Sequence, residues 1–276
     1  MIRLKSKHLT AEFDPLGAAI CRLFWDGLQI ADKGVTVGRY ANRIAGGSLS
    51  INGKTFPLSV NENGNTLHGG AVGFPKRRWS EEVLPEENAV VFRLVSDDGD
   101  QGFPGTMQAE VRYTVQDSSI WIDYRASADR DTVINLTNHA YFNLNGIDDT
   151  AAAAEHDLYL NADSYLEVDA ELIPTGKLLP VDGTVFDFRK QKRYPCSFDH
   201  NFVLNGGTPA AILRGCRSGL TMQVLTDRPG IQLYNTKAQI CLETQNFPDA
   251  VHHPHFPAPF LRKGEIFQSA TIYQFQ

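Results

Sequence analysis

Ser119-Ile120-Trp121-Ile122-Asp123-Tyr124-Arg125-Ala126-Ser127-Ala128 alternates apolar and polar side chains with a period of two. In an extended chain this spacing puts Ile120, Ile122, Tyr124 and Ala126 on one face and Trp121, Asp123, Arg125 and Ser127 on the other. That is the pattern of a half-buried strand. The preceding run, 107–115 (MQAEVRYTV), alternates less cleanly through Val111, Tyr113 and Val115. Further β-branched and aromatic runs occupy 89–95, 133–137, 230–235, 239–243 and 266–275. Turn pairs such as Asn52-Gly53, Asn63-Gly64, Asp98-Gly99 and Asp182-Gly183 punctuate the chain. The best helical stretch, 150–156 (TAAAAEH), is too short to be stable alone. No linker, charge block or internal repeat divides residues 1–276. The reading is therefore all-β, one large antiparallel β-sandwich domain.

Composition narrows the function. The 276 residues are 42% hydrophobic, enough for a substantial core, and 26 Lys+Arg against 32 Asp+Glu leave a net charge of −6. Such a balance creates no general field for phosphate backbones or anionic lipid, so neither nucleic acid nor membrane is an expected partner. No run approaches the roughly 18 apolar residues of a membrane span, and the opening MIRLKSKHLTAEFDPLG places acids and a proline where a signal peptide needs an apolar run. A cytoplasmic protein is expected. Cys21, Cys196, Cys216 and Cys241 are scattered singly, which suits reduced thiols rather than a zinc site or disulfide framework. GxxxxGK[ST], GxGxxG at a strand–helix junction and GxSxG are all missing from the sequence. His252, His253 and His255 surround Pro254; adjacent residues of an extended chain point apart, so a surface or rim loop is expected there, not a metal site.

Chemistry-bearing residues interrupt strand-like, apolar surroundings in four segments. They are Gly38-Arg39-Tyr40-Ala41-Asn42-Arg43-Ile44, Thr66-Leu67-His68-Gly69-Gly70, Asn138-His139-Ala140-Tyr141-Phe142-Asn143-Leu144 and Leu242-Glu243-Thr244-Gln245. Two weaker ones are Phe198-Asp199-His200-Asn201-Phe202 and Pro229-Gly230-Ile231-Gln232-Leu233-Tyr234. An inward carboxylate at Glu243 is costly without partners.

In this order, and running on to Gly264-Glu265, these motifs resemble the aldose 1-epimerase (galactose mutarotase) family. GRYANRI, LHGG, NHxYFNL, DHxFxL, PGxQxY and LExQ-xPDA are each weak alone and very specific together. The resemblance implies the galactose mutarotase-like supersandwich, a sandwich of antiparallel strands with an open sugar-binding cleft on one sheet. It implies His139 as general acid and Glu243 as general base, with Asn42, Arg43, His68, Asp199 and Gln232 binding sugar and Tyr141 a less certain part of the lining. It further implies a free monosaccharide substrate such as galactose or glucose, and chemistry that calls for no cofactor and no metal.

The residue types suit that chemistry. Exchanging the anomers of an aldopyranose means removing a proton from the C1 hydroxyl and protonating the ring oxygen, work for one base and one acid. A carboxylate whose environment raises its pKa and an imidazole that switches near neutrality fit those roles. Other readings stay open at this stage. The basic run 189–193 (RKQKR) admits a hexose-6-phosphate 1-epimerase, and the fold admits a non-catalytic sugar-binding protein. Paired carboxylates at Glu243 and Asp199 admit a glycoside hydrolase. Monomer and homodimer are equally compatible with the sequence.

Overall fold

The computed structural model describes residues 1–148, 153–195 and 197–276. Its strands form two large antiparallel sheets, of ten and nine strands. Ser119–Ala128 lies inside the nine-stranded sheet, between Met107–Gln116 and Ile266–Phe275. Its buried positions are the ones the alternation selects: Ile120, Ile122, Tyr124 and Ala126 face inward and Trp121 faces out.

The ten-stranded sheet packs its apolar face against that layer. Phe142 meets Tyr273 with ring centroids 5.0 Å apart, and Thr244 and Thr271 share a 2.6 Å hydroxyl hydrogen bond across the layers. Phe13, Leu23, Ile231, Leu233 and Leu242 from one sheet join Phe92, Val111, Ile122 and Met222 from the other in one apolar core. Each such large side chain contributes roughly 1.5–3 kcal/mol by leaving water.

The centre of the ten-stranded sheet runs in the order Leu28–Gly34, Tyr141–Phe142, Ile240–Gln245, Gly230–Asn235, Asp199–Leu204. All six residues of Ile240–Gln245 are buried, because loops cover the face turned away from the core. Ile240, Leu242 and Thr244 thus point to the core, and Cys241, Glu243 and Gln245 point under those loops. The register sets Glu243 opposite Gln232 and Gln232 opposite Asn201, and it sets Cys241 opposite Tyr234 and Tyr234 opposite Asp199.

Most expected strands form with their predicted limits to within a residue or so, including Ala89–Ser96 and Ile266–Phe275. The expected strand at 133–137 is split instead into Thr132–Val133 and Thr137–Asn138, each pairing with a different partner. Of the helical stretch at 150–156, residues 150–152 lie outside the described residues. Ala153–Glu155 make a single 3₁₀ turn, and His156 already starts a strand. Cys196 is also outside the described residues, while Cys21, Cys216 and Cys241 are free thiols.

Candidate active site

Loops deliver the first half of the site. Arg39 is fully buried and donates hydrogen bonds to Ser96 Oγ and to the carbonyls of Ser96, Asp97, Pro104 and Gly105, anchoring the segment that presents its neighbours. Arg43–Ile44 then pairs with Thr66–Leu67 as a short antiparallel ladder, which brings His68 beside Asn42. The His68 N–H donates to the Asn42 carbonyl at 3.1 Å, and the Asn42 N–H donates to His68 Nδ1 at 3.1 Å. The turn after His68 needs glycine. Gly69 has φ +82°, and a Cβ there would lie 2.0 Å from the Gly38 carbonyl oxygen.

The sheet delivers the second half. His139 follows Thr137–Asn138 and is held by its N–H to the Val35 carbonyl at 3.0 Å. Its ring stacks on Tyr141 (centroids 4.9 Å, interplanar angle 22°) and meets His68 and Tyr234 edge-on. Its Nε2 is 3.4 Å from Glu243 Oε1. Arg43 grips Glu62 through two donors, Nε to Oε2 at 2.6 Å and Nη2 to Oε1 at 3.0 Å, and reaches Asp199 Oδ2 through Nη1 at 3.5 Å. Gln232 Nε2 donates to Asp199 Oδ1 at 2.6 Å.

Seven of the eight residues expected at the site, Asn42, Arg43, His68, His139, Tyr141, Asp199 and Glu243, line one cavity of about 290 Å³. Gln232 is buried behind it and acts on the cavity through Asp199. A larger groove, about 870 Å³, lies on the outer face of the nine-stranded sheet around Trp121; there Arg112 pairs with Glu87, and Glu110 is held by Arg93 beside the groove.

Burial tunes the two titratable groups at the centre. It pushes Glu243 up to about 7; His139 and Arg43 pull the other way, and the Asp199 charge adds to the rise. Burial pushes His68 down to about 3, helped by His139 and Arg43. His68 is therefore a neutral imidazole at physiological pH. Because its Nδ1 accepts the Asn42 N–H, its proton sits on Nε2, ready to be donated.

The aldose 1-epimerase family profile matches residues 1–274. The chain belongs to that family. It is an isomerase of the epimerase class. The chain is 40% identical over 270 residues to the galactose mutarotase of Homo sapiens, a match spanning 88% of this chain and 78% of that one. It is 39% identical over 295 residues to the aldose 1-epimerase of Escherichia coli (strain K12), spanning 94% and 84%. Among solved structures, a GalM/aldose epimerase homologue from C. elegans superimposes with a TM-score of 0.93 at 30% identity, covering 100% of this chain and 98% of that one. The galactose 1-epimerase of Lactobacillus acidophilus NCFM gives 0.88 at 26% identity, covering 99% and 93%. No helix among the described residues is long and apolar enough to cross a membrane.

Three wall residues of this family member were not singled out in the sequence. Tyr234 stood in the Gln232 segment, and its i+2 spacing on a strand is the signal that puts both on one face. Leu67 stood beside His68. Glu62 lies in a polar turn and carries no signal, since its role arises only when the fold sets it against Arg43.

His68, His139 and Glu243 bring potential ligand atoms within 4.8 Å of one another, the one such cluster among the described residues. A metal ion fits it poorly. The single lone pair of neutral His68 already accepts the Asn42 N–H, and freeing it would orphan a backbone donor. The histidines at 252–255 form no such cluster. His252 Nδ1 bonds Asp249 Oδ1 at 2.7 Å, while His253 and His255 bond the carbonyls of Pro174 and Gly176, tying that loop to the strand Pro174–Pro180.

Proposed function

We propose that this protein interconverts the α and β anomers of free aldoses such as galactose or glucose, with Glu243 as general base and His139 as general acid. The observation that carries the reading is the 3.4 Å approach of His139 Nε2 to Glu243 Oε1 at the floor of a polar cavity. The two reacting oxygens of a hemiacetal share one carbon, so the groups that serve them must themselves be close. Glu243 takes the proton of the C1 hydroxyl, whose electron pair becomes the carbonyl π bond. The C1–O5 bond breaks, its pair goes to the ring oxygen, and His139 protonates that oxygen. Rotation about C1–C2 in the open aldehyde and reclosure by the reverse transfers give the other anomer and restore both groups.

The remaining residues bind and orient. His68 offers a neutral N–H to a sugar oxygen, and the Asp199 carboxylate, fixed by Gln232 and Arg43, accepts from hydroxyls. Tyr141 and Tyr234 supply aromatic walls next to His139. A raised Glu243 is a base strong enough to take a hydroxyl proton yet still half ionised near pH 7.

Free sugars are favoured over sugar phosphates by charge. Among the described residues that line the cavity, Arg43 is the one arginine or lysine, and it is already held by Glu62 and Asp199, so a phosphate there would face carboxylates. The basic run 189–193 is engaged elsewhere: Arg189 pairs with Asp163, Asp182 and Asp187, and Arg193 with Asp157. Polarimetry of freshly dissolved α-D-galactose, α-D-glucose and glucose 6-phosphate tests the reading. Acceleration with a free sugar supports it, and acceleration with the phosphate ester alone overturns it.

A further inference from the structure

Behind Glu243 lies a row of buried amides, of which the reaction as drawn uses only Gln232, through its bond to Asp199. Asn201, Gln232 and Glu243 stand side by side on three adjacent strands, and Gln245 stands two residues beyond Glu243 on the same face. All four are at most 3% exposed. Six of their atoms have no protein partner: both amide atoms of Asn201, both of Gln245, Gln232 Oε1 and Glu243 Oε2. A buried polar group left unmatched is destabilising, and six of them lie in one patch.

The register shows what they surround. Gln245 is paired with Gly230, which has no side chain. A Cβ at Gly230 would sit 2.7 Å from Asn201 Oδ1 and 3.0 Å from the Phe247 ring. The Asn201 amide oxygen and the Phe247 ring therefore already close over Gly230, the residue paired with Gln245. Unpartnered donors and acceptors buried side by side on adjacent strands are what an internal water requires, since such a water makes about three hydrogen bonds.

We infer that Asn201 and Gln245 are positioning residues for Glu243, holding internal water between their amides and the carboxylate oxygen Oε2, to which it donates. Water bonded there leaves Oε1 turned to His139 and the cavity, and it stabilises the ionised base against its burial. The inference rests on Glu243 being the base.

The test is the pH dependence of kcat/KM for Gln245→Met and, separately, Asn201→Leu, beside Glu243→Gln and the wild type. Losing the donor to Oε2 should move the acid limb up by about one pH unit, a roughly tenfold loss at pH 6. A limb that superimposes on the wild type in a folded variant overturns the inference. If neither variant folds, a crystal structure of the wild type at high resolution decides. Ordered water within hydrogen-bond reach of Glu243 Oε2 and of Asn201 or Gln245 supports it, and no water there overturns it. Full activity of Glu243→Gln would instead remove the base assignment itself, a distinct failure.

Discussion

His139 Nε2 and Glu243 Oε1 stand 3.4 Å apart although Glu243 sits on a central strand and His139 on the link between Thr137–Asn138 and Tyr141–Phe142, and no other histidine–carboxylate ion pair among the described residues lines the cavity. Glu243 is held rigidly by a central strand buried on both faces, and His139 is clamped by Tyr141 stacking on its ring and by its own N–H bond to Val35. Preorganisation of this kind means that little has to move when sugar arrives.

In the proposed mechanism the two groups serve one proton exchange, so their losses should not multiply. Glu243→Gln and His139→Asn should each lower kcat by about 10²–10⁴-fold. The double variant should be little worse than the poorer single one, as for residues that work as a unit. Steady-state polarimetry on the three variants checks this, and fully multiplicative losses would make the two residues independent.

Activity should fall on the acid side. With Glu243 pushed up to about 7, kcat/KM should drop about tenfold per unit below that pH as the base becomes protonated. Stability runs the other way. The folded state keeps this proton to higher pH than the unfolded chain, so the group's contribution is fully present below about 4.5 and is lost as pH rises to about 7. The amide of Glu243→Gln never ionises. Its stability relative to the wild type should therefore rise between pH 4.5 and 7 and level off above, by a total on the order of 3 kcal/mol in denaturant unfolding. A constant difference across that window would mean that Glu243 is not destabilised by burial.

Glu62 should matter without touching the reacting atoms. It fixes the Arg43 guanidinium through two parallel hydrogen bonds. Glu62→Gln should raise KM severalfold with a smaller effect on kcat. Arg43→Lys should recover little of what Arg43→Ala loses, because a point charge cannot replace the two-pronged geometry. Kinetics in which Lys restores wild-type kcat/KM would reduce Arg43 to a simple charge.

Gly69→Ala should be severely destabilising. The substitution meets both a left-handed backbone conformation and a 2.0 Å clash with the Gly38 carbonyl, so relief needs backbone movement in the loop that carries His68. A loss of more than about 2 kcal/mol is expected. Denaturant unfolding measures it, and a near-neutral result would contradict the tight packing of the 38 and 69 turns.

The sandwich was legible because its strands announce themselves by alternation, as at Ser119–Ala128. Where the sequence misled, tertiary pairing overrode local preference. The alanine-rich stretch ends at residue 155 because His156 enters the nine-stranded sheet, and 133–137 splits because its two ends find different partners. The site residues lie far apart in the chain, so their convergence was legible only through the motif order. The Glu62–Arg43 pair and the row of buried amides at Asn201 and Gln245 depend on register and loop docking, which no local pattern encodes.

Proton abstraction by Glu243 can be read from polarimetry of fresh α-D-galactose with wild type and folded Glu243→Gln at equal concentration. The wild type should speed the approach to anomeric equilibrium, and the variant should leave it near the buffer rate. A variant as fast as the wild type would contradict it.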